Sequence, residues 1–200
     1  MTAHAHLTDC GLPGIEQVPY GMHACHFYRD ATELLDALVP YFRAGLRRNE
    51  RCLWISAPPL PAKEAASAIQ AAWEGAHEAL ESGALRIFDF DQWYASAAHL
   101  KGLDVVKLWL EEEASALAAG YTGLRITGNT SFLRAQDWPT FMEYEHAVTA
   151  RFAGRRIVAL CSYSLRDCSA SQADQVMRAH MCTFERPDKT WQVFPVARGA

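Results

Sequence analysis

Short apolar runs alternate along the chain with segments in which apolar residues recur every three or four positions. The runs are typical of buried strands, and the spaced pattern is typical of amphipathic helices. We predict strands over 23–28, 52–57, 85–90, 123–127 and 156–163, and helices over 32–48, 63–80, 103–119, 139–152 and 171–180. Two final segments, 182–185 and 191–195, predict a closing β-hairpin.

The repeated strand–helix–strand order predicts an α/β fold in which a mainly parallel sheet has helices on both faces. Residues 1–20 contain two glycines and two prolines and show little periodicity, so we expect an irregular N-terminal arm. Residues 21–196 then form one domain, a size that suits the chain length. Pro40 lies inside the first predicted helix and is expected to kink it.

Composition and charge argue against several classes of protein, namely nucleic-acid-binding, secreted and membrane-spanning proteins. The 200 residues are 50% apolar with a net charge of −4 and no block of like charges, which argues against direct contact with nucleic acid. The first residues lack the features of a signal peptide, and no apolar run reaches the roughly 20 residues that span a bilayer. Cysteines such as Cys52 and Cys161 lie in apolar runs, so we expect reduced thiols, a cytoplasmic protein and no membrane partner.

Aromatic and polar residues follow several of the predicted strands. Ligands of open α/β sheets bind beyond the carboxyl ends of the strands. Those ends carry Tyr28, Asn129 and Tyr163, and Trp93 follows another strand closely. Rings combined with hydroxyls and amides are typical of a small-molecule pocket. Capping and turn residues are also common at such ends, whatever the function.

The first strand-to-helix turn, 28–33, has the sequence YRDATE. A P-loop needs glycines, so that backbone N–H groups approach the phosphates, followed by Lys and Ser or Thr. This turn contains neither glycine nor lysine. We therefore exclude ATP hydrolysis by the Walker mechanism.

Two short His/Cys clusters lie at 23–26 and 180–182, with Cys161 between them. Residues two apart on a strand face the same side, so His23 and Cys25 can present N and S ligands together. Zinc favours four such ligands, and iron or haem takes one axially. However, the C-x₂-C spacing of zinc ribbons is missing, and buried Cys and His are ordinary core residues. We assign no metal and no cofactor.

Chemistry at a thiol is the next alternative. Cys168 lies close to Arg166, and a nearby cation lowers the pKa of a thiol and favours redox sensitivity. A nucleophile would be Cys161 or Cys168, with His180 and Asp167 as partners. No nucleophile elbow surrounds them, so we predict no catalytic residues and a protein that is not an enzyme.

Two large residues in apolar runs have both a structural and a functional interpretation. Arg125 needs a partner if it is buried, either the carboxylate of Glu143 or Glu145 or an anionic ligand. Trp54 alternates with aliphatic residues and is typical of a core, although it also qualifies as a pocket residue.

Blocks of sequence spread over roughly residues 19–194 resemble the MEDS family, the methanogen/methylotroph, DcmR sensory domains. The blocks are GMHACHFY (21–28), LVPYFRAGL (38–46), NERCLWI (49–55), LRITGNT (124–130), QDW (136–138), FMEYE (141–145) and ALCSYSLRDC (159–168), followed by His180 and Trp191. The resemblance implies a RecA/KaiC-like layout with a degenerate phosphate loop. It also implies a sensory role for a small, hydrocarbon-derived signal.

Members of that family occur fused to DNA-binding domains and histidine kinases, and we expect no such module within these 200 residues. We therefore predict a non-catalytic sensory domain in signal transduction and transcription regulation. Its output would pass to a protein partner, such as a kinase or transcription regulator, or across a homodimer. The predicted ligand-binding residues are His23, Cys25, Tyr28, Trp54, Trp93, Arg125, Asn129, Cys161, Tyr163 and His180.

Two alternatives remain open. One is a metal-, haem- or thiol-based redox sensor that uses the His/Cys clusters. The other is a protein-docking module without a ligand, which would expose an apolar surface around 58–60 or on the helix of Trp109.

Overall fold

The structure is a computed structural model that describes residues 6–95, 103–129 and 135–196. Its strands are β1 (Leu7–Asp9), β2 (Gln17–Pro19), β3 (His23–Tyr28), β4 (Arg51–Ser56), β5 (Leu85–Asp89), β6 (Leu124–Thr127), β7 (Ile157–Ser164), β8 (Cys182–Glu185) and β9 (Gln192–Pro195). Its helices are α1 (Ala31–Arg47), α2 (Ala62–Ala72), α3 (Ala76–Glu81), α4 (Phe90–Ala95), α5 (Leu103–Ala118), α6 (Trp138–Phe152) and α7 (Ala170–Ala179), with a 3₁₀ turn at Ala135–Asp137. None of these helices combines the length and apolarity needed to cross a membrane.

Seven strands form one sheet in the order β5-β4-β6-β7-β3-β8-β9. All neighbouring strands are parallel except β8 and β9, which form the antiparallel hairpin at the C-terminal end. The predicted α/β class, the mainly parallel sheet and the closing hairpin are therefore confirmed. β3 lies between β7 and β8, in the part of the sheet that is covered on both faces.

The two faces of the sheet carry separate cores. Side chains alternate along a strand, so Ala24 and Tyr28 of β3 pack with α1 and α2 on the first face. Cys25 points to the second face, where it packs with residues of α6 and α7. The helix after β3 thus covers one face and the helix after its neighbour β7 covers the other. Such a switch point is where α/β sheets open a crevice for ligands.

The segment predicted as one helix over 63–80 is two helices, so that prediction is wrong. Trp73 ends α2 in an extended conformation, and its backbone N–H donates to the carbonyl of Ile69. Its ring lies against Gly75, where a Cβ would come within 2.5 Å of the indole. Packing of this ring overrides the helical propensity of the Ala-rich segment. By contrast, α1 runs through Pro40 without a break.

The N-terminal arm is more regular than its sequence indicates. β1 and β2 pair antiparallel, with Thr8 opposite Val18. Cys10 and Leu12, between the two strands, are buried in the first-face core. The arm is therefore a packed part of the domain.

Arg125 is completely buried on β6, and its partner is Glu50, at the end of the loop before β4. The guanidinium Nε donates to Glu50 Oε2 at 2.5 Å. The expectation that Glu143 or Glu145 would pair with it is wrong, because α6 covers the second face and Arg125 points to the first. This ion pair therefore belongs to the core and does not form an open anion site.

Both members of the pair are satisfied by further groups. The remaining guanidinium nitrogens of Arg125 donate to main-chain carbonyls of Asp9, Cys10 and Tyr41. Glu50 accepts hydrogen bonds from the hydroxyls of Thr8 and Tyr20. Burial raises the pKa of Glu50, but the charge and hydrogen bonds of Arg125 outweigh it, so the pKa is lowered overall. The pair ties the arm, α1 and the sheet together.

Glu50→Gln should destabilise the fold by about 3–5 kcal/mol, because it leaves a buried guanidinium without its counter-charge. Urea unfolding followed by circular dichroism measures this difference in free energy. The matched control is Glu33→Gln, since Glu33 pairs with Arg29 on the surface. That change should alter stability by about 0–1 kcal/mol. Equal effects of the two substitutions would contradict the structural role of Glu50.

His26 is buried on the first face, where its Nε2 lies 2.7 Å from the hydroxyl of Ser162. Burial lowers its pKa from 6.5 to about 3. The folded state therefore stays neutral at this residue while the unfolded chain takes up a proton below about pH 6.5. Stability linked to His26 is present at neutral pH and is lost as the pH falls towards 3.

His26→Gln should flatten the dependence of stability on pH between about 6 and 4, by up to about 1.4 kcal/mol per pH unit. Urea unfolding at several pH values measures the slope, which separates this effect from any constant loss of packing. His77→Gln serves as the control, because His77 is exposed on α3. An unchanged slope in the His26 variant would show that His26 does not titrate with unfolding.

Candidate functional site

Four side chains meet beneath α6 on the second face of the sheet and form a cluster of potential metal ligands. His23 opens β3, Cys161 lies within β7, Glu145 points inward from α6, and His180 follows the end of α7. One ligand atom from each lies within 4.8 Å of the others. We call these four residues the His/Cys/Glu cluster.

The atoms of the cluster are close enough to act on one another. His23 Nε2 lies 3.2 Å from Glu145 Oε2 and 3.3 Å from Cys161 Sγ. His180 Nε2 lies 3.4 Å from the same Glu145 oxygen. The two imidazole rings are 4.0 Å apart between centroids. Both histidines thus direct the same nitrogen towards one carboxylate oxygen.

Hydrogen bonds on the far sides of the rings fix the tautomers. The hydroxyl of Thr149 donates to the carbonyl of Ala179 at 2.6 Å, so it accepts from Nδ1 of His23 at 2.7 Å. Nδ1 of His180 lies 2.8 Å from the carbonyl of Val176, which can only accept. Each ring therefore carries its proton on Nδ1. Both Nε2 atoms present lone pairs to the cluster.

Burial disfavours the charged forms of all four groups in the isolated cluster. It lowers the pKa values of His23 and His180 to about 3 and raises that of Glu145. It also raises the pKa of the Cys161 thiol well above its usual range. Among the described residues, Glu145 Oε2 and His180 Nε2 have no hydrogen-bond partner. The arrangement is an excess of acceptors that can take a proton, a hydrogen-bond donor or a cation.

A small cavity of about 30 Å³ adjoins the cluster. The rings of Trp109, Phe141 and Tyr144 line it, together with three members of the cluster. Its volume corresponds to one or two water molecules or to a guest of a few heavy atoms. The cavity lining thus combines aromatic rings with polar acceptors.

Five of the predicted site residues lie together on this face. Three of them, His23, Cys161 and His180, are members of the cluster. The ring of Tyr163 stands edge-on to that of His180, with centroids 5.6 Å apart. Cys25 lies on the same face but turns towards β8, where its thiol is 3.4 Å from the hydroxyl of Thr183. The predicted pairing of His23 with Cys25 is replaced by His23 with Cys161.

Tyr28 and Asn129 form a second group, at the carboxyl edge of the sheet. The Asn129 amide donates to the Tyr28 hydroxyl at 2.8 Å. Asn129 also lines the cavity, so this pair borders the site from the strand ends. Thr130, which ends one of the sequence blocks, lies outside the described residues.

The remaining predicted residues belong to the cores. Trp93 stacks on Trp109 with ring centroids 4.9 Å apart, which places it against one of the aromatic rings that line the cavity. Trp54 stacks on Phe42 at 5.2 Å on the opposite face. Arg125 also lies on that face, in its ion pair. Trp54 and Arg125 therefore have no access to the cluster.

Glu145 is the functional residue that the sequence analysis did not place in the site. The inward positions of α6 are Met142, Glu145, Val148 and Phe152, all of which are buried. One carboxylate at helical spacing within an apolar face is a signal for a buried polar site. That signal was present in the sequence.

The turn after β3 confirms the loss of a phosphate loop. Asp30 caps α1, and its carboxylate accepts from the backbone N–H of Glu33. Glu33 in turn pairs with Arg29 at 2.9 Å. Two carboxylates thus lie at the helix N-terminus where a P-loop protein binds phosphate, and they would repel an anion.

A wider, open cleft of about 330 Å³ lies at the carboxyl ends of β3 and β8. Phe27, Leu165 and Trp191 supply its apolar walls, and Arg29 and Arg186 lie at its margin. The charged side chains at this cleft, such as Arg29 and Arg186, are more exposed to solvent than those of His23, Glu145 and His180 in the cluster. We regard it as the less specific of the two cavities.

The two regions considered for an exposed docking surface are only partly open. Leu60 is 3% exposed and Trp109 is 2% exposed, so both side chains belong to the core. Pro58 and Pro59 are exposed beside Leu60. The described residues of these two regions therefore give little support to a docking module, although Leu117 on the helix of Trp109 is 41% exposed.

Two solved structures resemble this chain in fold. The flagellar accessory protein FlaH from Methanocaldococcus jannaschii matches with a TM-score of 0.55 and 13% identity, covering 84% of this chain and 71% of that one. The KaiC-like protein PH0186 from Pyrococcus horikoshii matches with a TM-score of 0.58 and 10% identity, covering 96% and 89%. At such identities the likeness shows the fold alone, which is RecA/KaiC-like.

The family follows from the sequence profile of the methanogen/methylotroph, DcmR sensory domain, which matches residues 22–181. The chain belongs to this MEDS family. No curated protein matches the chain. All four members of the His/Cys/Glu cluster lie within the matched residues.

Proposed function

We propose that the chain is a non-catalytic sensory domain that binds a small, uncharged molecule in the cavity beside the His/Cys/Glu cluster. The observation that carries the proposal is the cavity itself, which is lined by aromatic rings and by Glu145, whose Oε2 has no hydrogen-bond partner among the described residues. Membership of a sensory family supports the same function.

The chemistry of the cavity lining indicates the class of ligand. Aromatic rings favour contact with carbon or halogen atoms, and the Nε2 and carboxylate acceptors favour a hydrogen-bond donor. About 30 Å³ admits only a few heavy atoms. One-carbon compounds, with methanol as the simplest donor, satisfy these three requirements.

α6 is the element through which binding would be transmitted. It supplies Glu145 to the cluster and two rings to the cavity, and it packs on α5 and α7. The Trp109 indole on α5 donates to the Tyr144 hydroxyl at 2.7 Å. A guest that shifts Tyr144 would therefore act on α6, which carries Tyr144, and on α5, which carries Trp109. We propose that a protein partner, such as a kinase or transcription regulator, or a second copy of the chain reads this shift.

A catalytic role has little support from the cluster. Nucleophilic attack needs a thiolate, and burial raises the pKa of Cys161 well above its usual range. The six cysteines are free thiols, which supports a cytoplasmic, reducing location.

The alternative of a redox sensor divides into three cases. A haem requires a cavity far larger than the space at the cluster. A thiol switch requires a low thiol pKa, whereas burial raises the pKa of Cys168 and raises that of Cys25 to about 12. The third case, a metal ion, is favoured by the geometry of the cluster and is developed below.

A thermal-shift screen with one-carbon compounds tests the proposed function. A ligand at 100 times its Kd should stabilise the protein by about 2.7 kcal/mol, which raises Tm by roughly 5–10 °C in a chain of this size. Butanol is the matched control compound, because it exceeds the cavity. If no compound raises Tm, or if butanol acts as strongly as methanol, the cavity is not the sensory site.

Gly128→Ala provides a variant that fills the cavity. Gly128 lines the cavity, and an added Cβ there meets no atom within 4 Å among the described residues. The variant should keep the Tm of the free protein and lose most of the ligand-induced shift. Retention of the full shift would place the ligand elsewhere, with the cleft beside Trp191 as the next candidate.

A further inference from the structure

We infer that His23, Glu145, Cys161 and His180 together bind one divalent transition-metal ion, with zinc as the best match. One part of the inference rests on the proposed function: the sensed molecule would bind in the cavity and there contact this ion. Metal binding itself follows from the cluster alone.

The distances fit a tetrahedral site. Metal–ligand bonds of about 2.0–2.3 Å imply edges of about 3.3–3.8 Å between ligand atoms. Three of the separations within the cluster are 3.2, 3.3 and 3.4 Å, and all four atoms lie within 4.8 Å of one another. A direct, charged N–H···O contact would be shorter, at about 2.7–2.9 Å. The spacing is therefore that of ligands around a common centre.

The orientation of the imidazoles supports the same conclusion. Metal-binding histidines donate the other ring N–H to a carbonyl or another acceptor, which fixes the tautomer. Here Thr149 accepts from His23, and the carbonyl of Val176 accepts from His180. The Nε2 lone pairs of both rings then face Glu145 Oε2, and neither His180 Nε2 nor Glu145 Oε2 has a hydrogen-bond partner in the described part of the chain. A cation is the group that satisfies three converging acceptors at once.

Charge and donor type select the ion. When a divalent ion binds, the Cys161 thiol releases a proton to solvent, and Glu145 binds as the carboxylate. The resulting thiolate and carboxylate balance the two positive charges, so the buried site is neutral. Two imidazole nitrogens, one thiolate and one carboxylate suit zinc and disfavour magnesium or calcium, which prefer oxygen alone.

Because the cavity adjoins the cluster, a metal ion there could contact the sensed molecule. His23, Glu145 and Cys161 each face both the cluster and the cavity. A zinc ion that expands from four to five ligands can accept the oxygen of a small guest from that side. The guest would then be held by a coordinate bond as well as by the aromatic rings.

The test uses the full chain, stripped of metal by a chelator and titrated with zinc chloride or cobalt chloride. We expect one equivalent of zinc to remain after gel filtration, as measured by elemental analysis. Cobalt should give visible bands of a tetrahedral ion and a thiolate-to-cobalt charge-transfer band in the near ultraviolet. Failure of both metals to bind stoichiometrically to the folded chain would overturn the inference.

Three substitutions assign the ligands. Cys161→Ser should abolish the charge-transfer band, whereas the matched control Cys168→Ser should keep it. Thr149→Val removes the acceptor that orients His23 without removing a ligand, and it should weaken zinc binding about 10- to 100-fold. Circular dichroism verifies that each variant is folded. A charge-transfer band that survives in Cys161→Ser would place the metal at another thiol and refute this site.

The outcome for the metal is separable from that for the sensory ligand. Stoichiometric cobalt binding without any thermal shift from one-carbon compounds supports the metal site and contradicts the proposed function. Thermal shifts in metal-free protein that binds no zinc contradict the metal site and leave the proposed function intact.

Discussion

The parallel pairing of β3 with β7 is the constraint on which the site depends. Its register sets Cys25 opposite Cys161, so odd-numbered residues of both strands share the face beneath α6. A slip of one residue would send His23 and Cys161 to opposite faces, because side chains alternate along a strand. Backbone hydrogen bonds and two separate apolar cores hold this register. The geometry of the cluster is thus a consequence of sheet pairing as much as of the four side chains.

The buried ion pair on one face of the sheet has all its hydrogen-bond partners, whereas the His/Cys/Glu cluster on the other face lacks some of them. On the first face, Arg125 and Glu50 are fully paired, and hydrogen bonds from the arm and α1 complete the network. On the second face, Glu145 and His180 retain acceptors without a hydrogen-bond partner among the described residues. An unsatisfied buried polar group destabilises a fold by about 1–3 kcal/mol. The completed network on the first face has a structural role, whereas the incomplete one, which borders a cavity, supports the proposed binding role.

Much of the fold was predictable because strand patterns and turn residues are local signals. β3 begins and ends where its apolar run does, and the absence of glycine after Tyr28 correctly excluded a phosphate loop. Pairing across the chain was not predictable in the same way. His23, Cys161 and His180 were predicted from residue type, yet Cys25 was expected to complete the ligand set. Glu145 takes that place. Its position on the apolar face of α6 is a local signal of burial, but its partners depend on how α6 lies over β7, a tertiary feature that no local pattern encodes.

The fold also explains why the buried polar side chains of the His/Cys/Glu cluster lie beneath α6 and not at the turn after β3. In a RecA-like sheet with a phosphate loop, the anion binds at the N-terminus of the helix after the first core strand. Here Asp30 caps that helix with its own carboxylate, and the turn offers an anion no glycine-rich cradle. A buried neutral guest needs directional contacts instead of a diffuse positive field, and such contacts require rigid side chains. His23 and Cys161 on paired strands, and Glu145 on a packed helix, have that rigidity. The proposed guest beside them would therefore act on α6 directly, which would make this helix the mechanical link between the site and the surface.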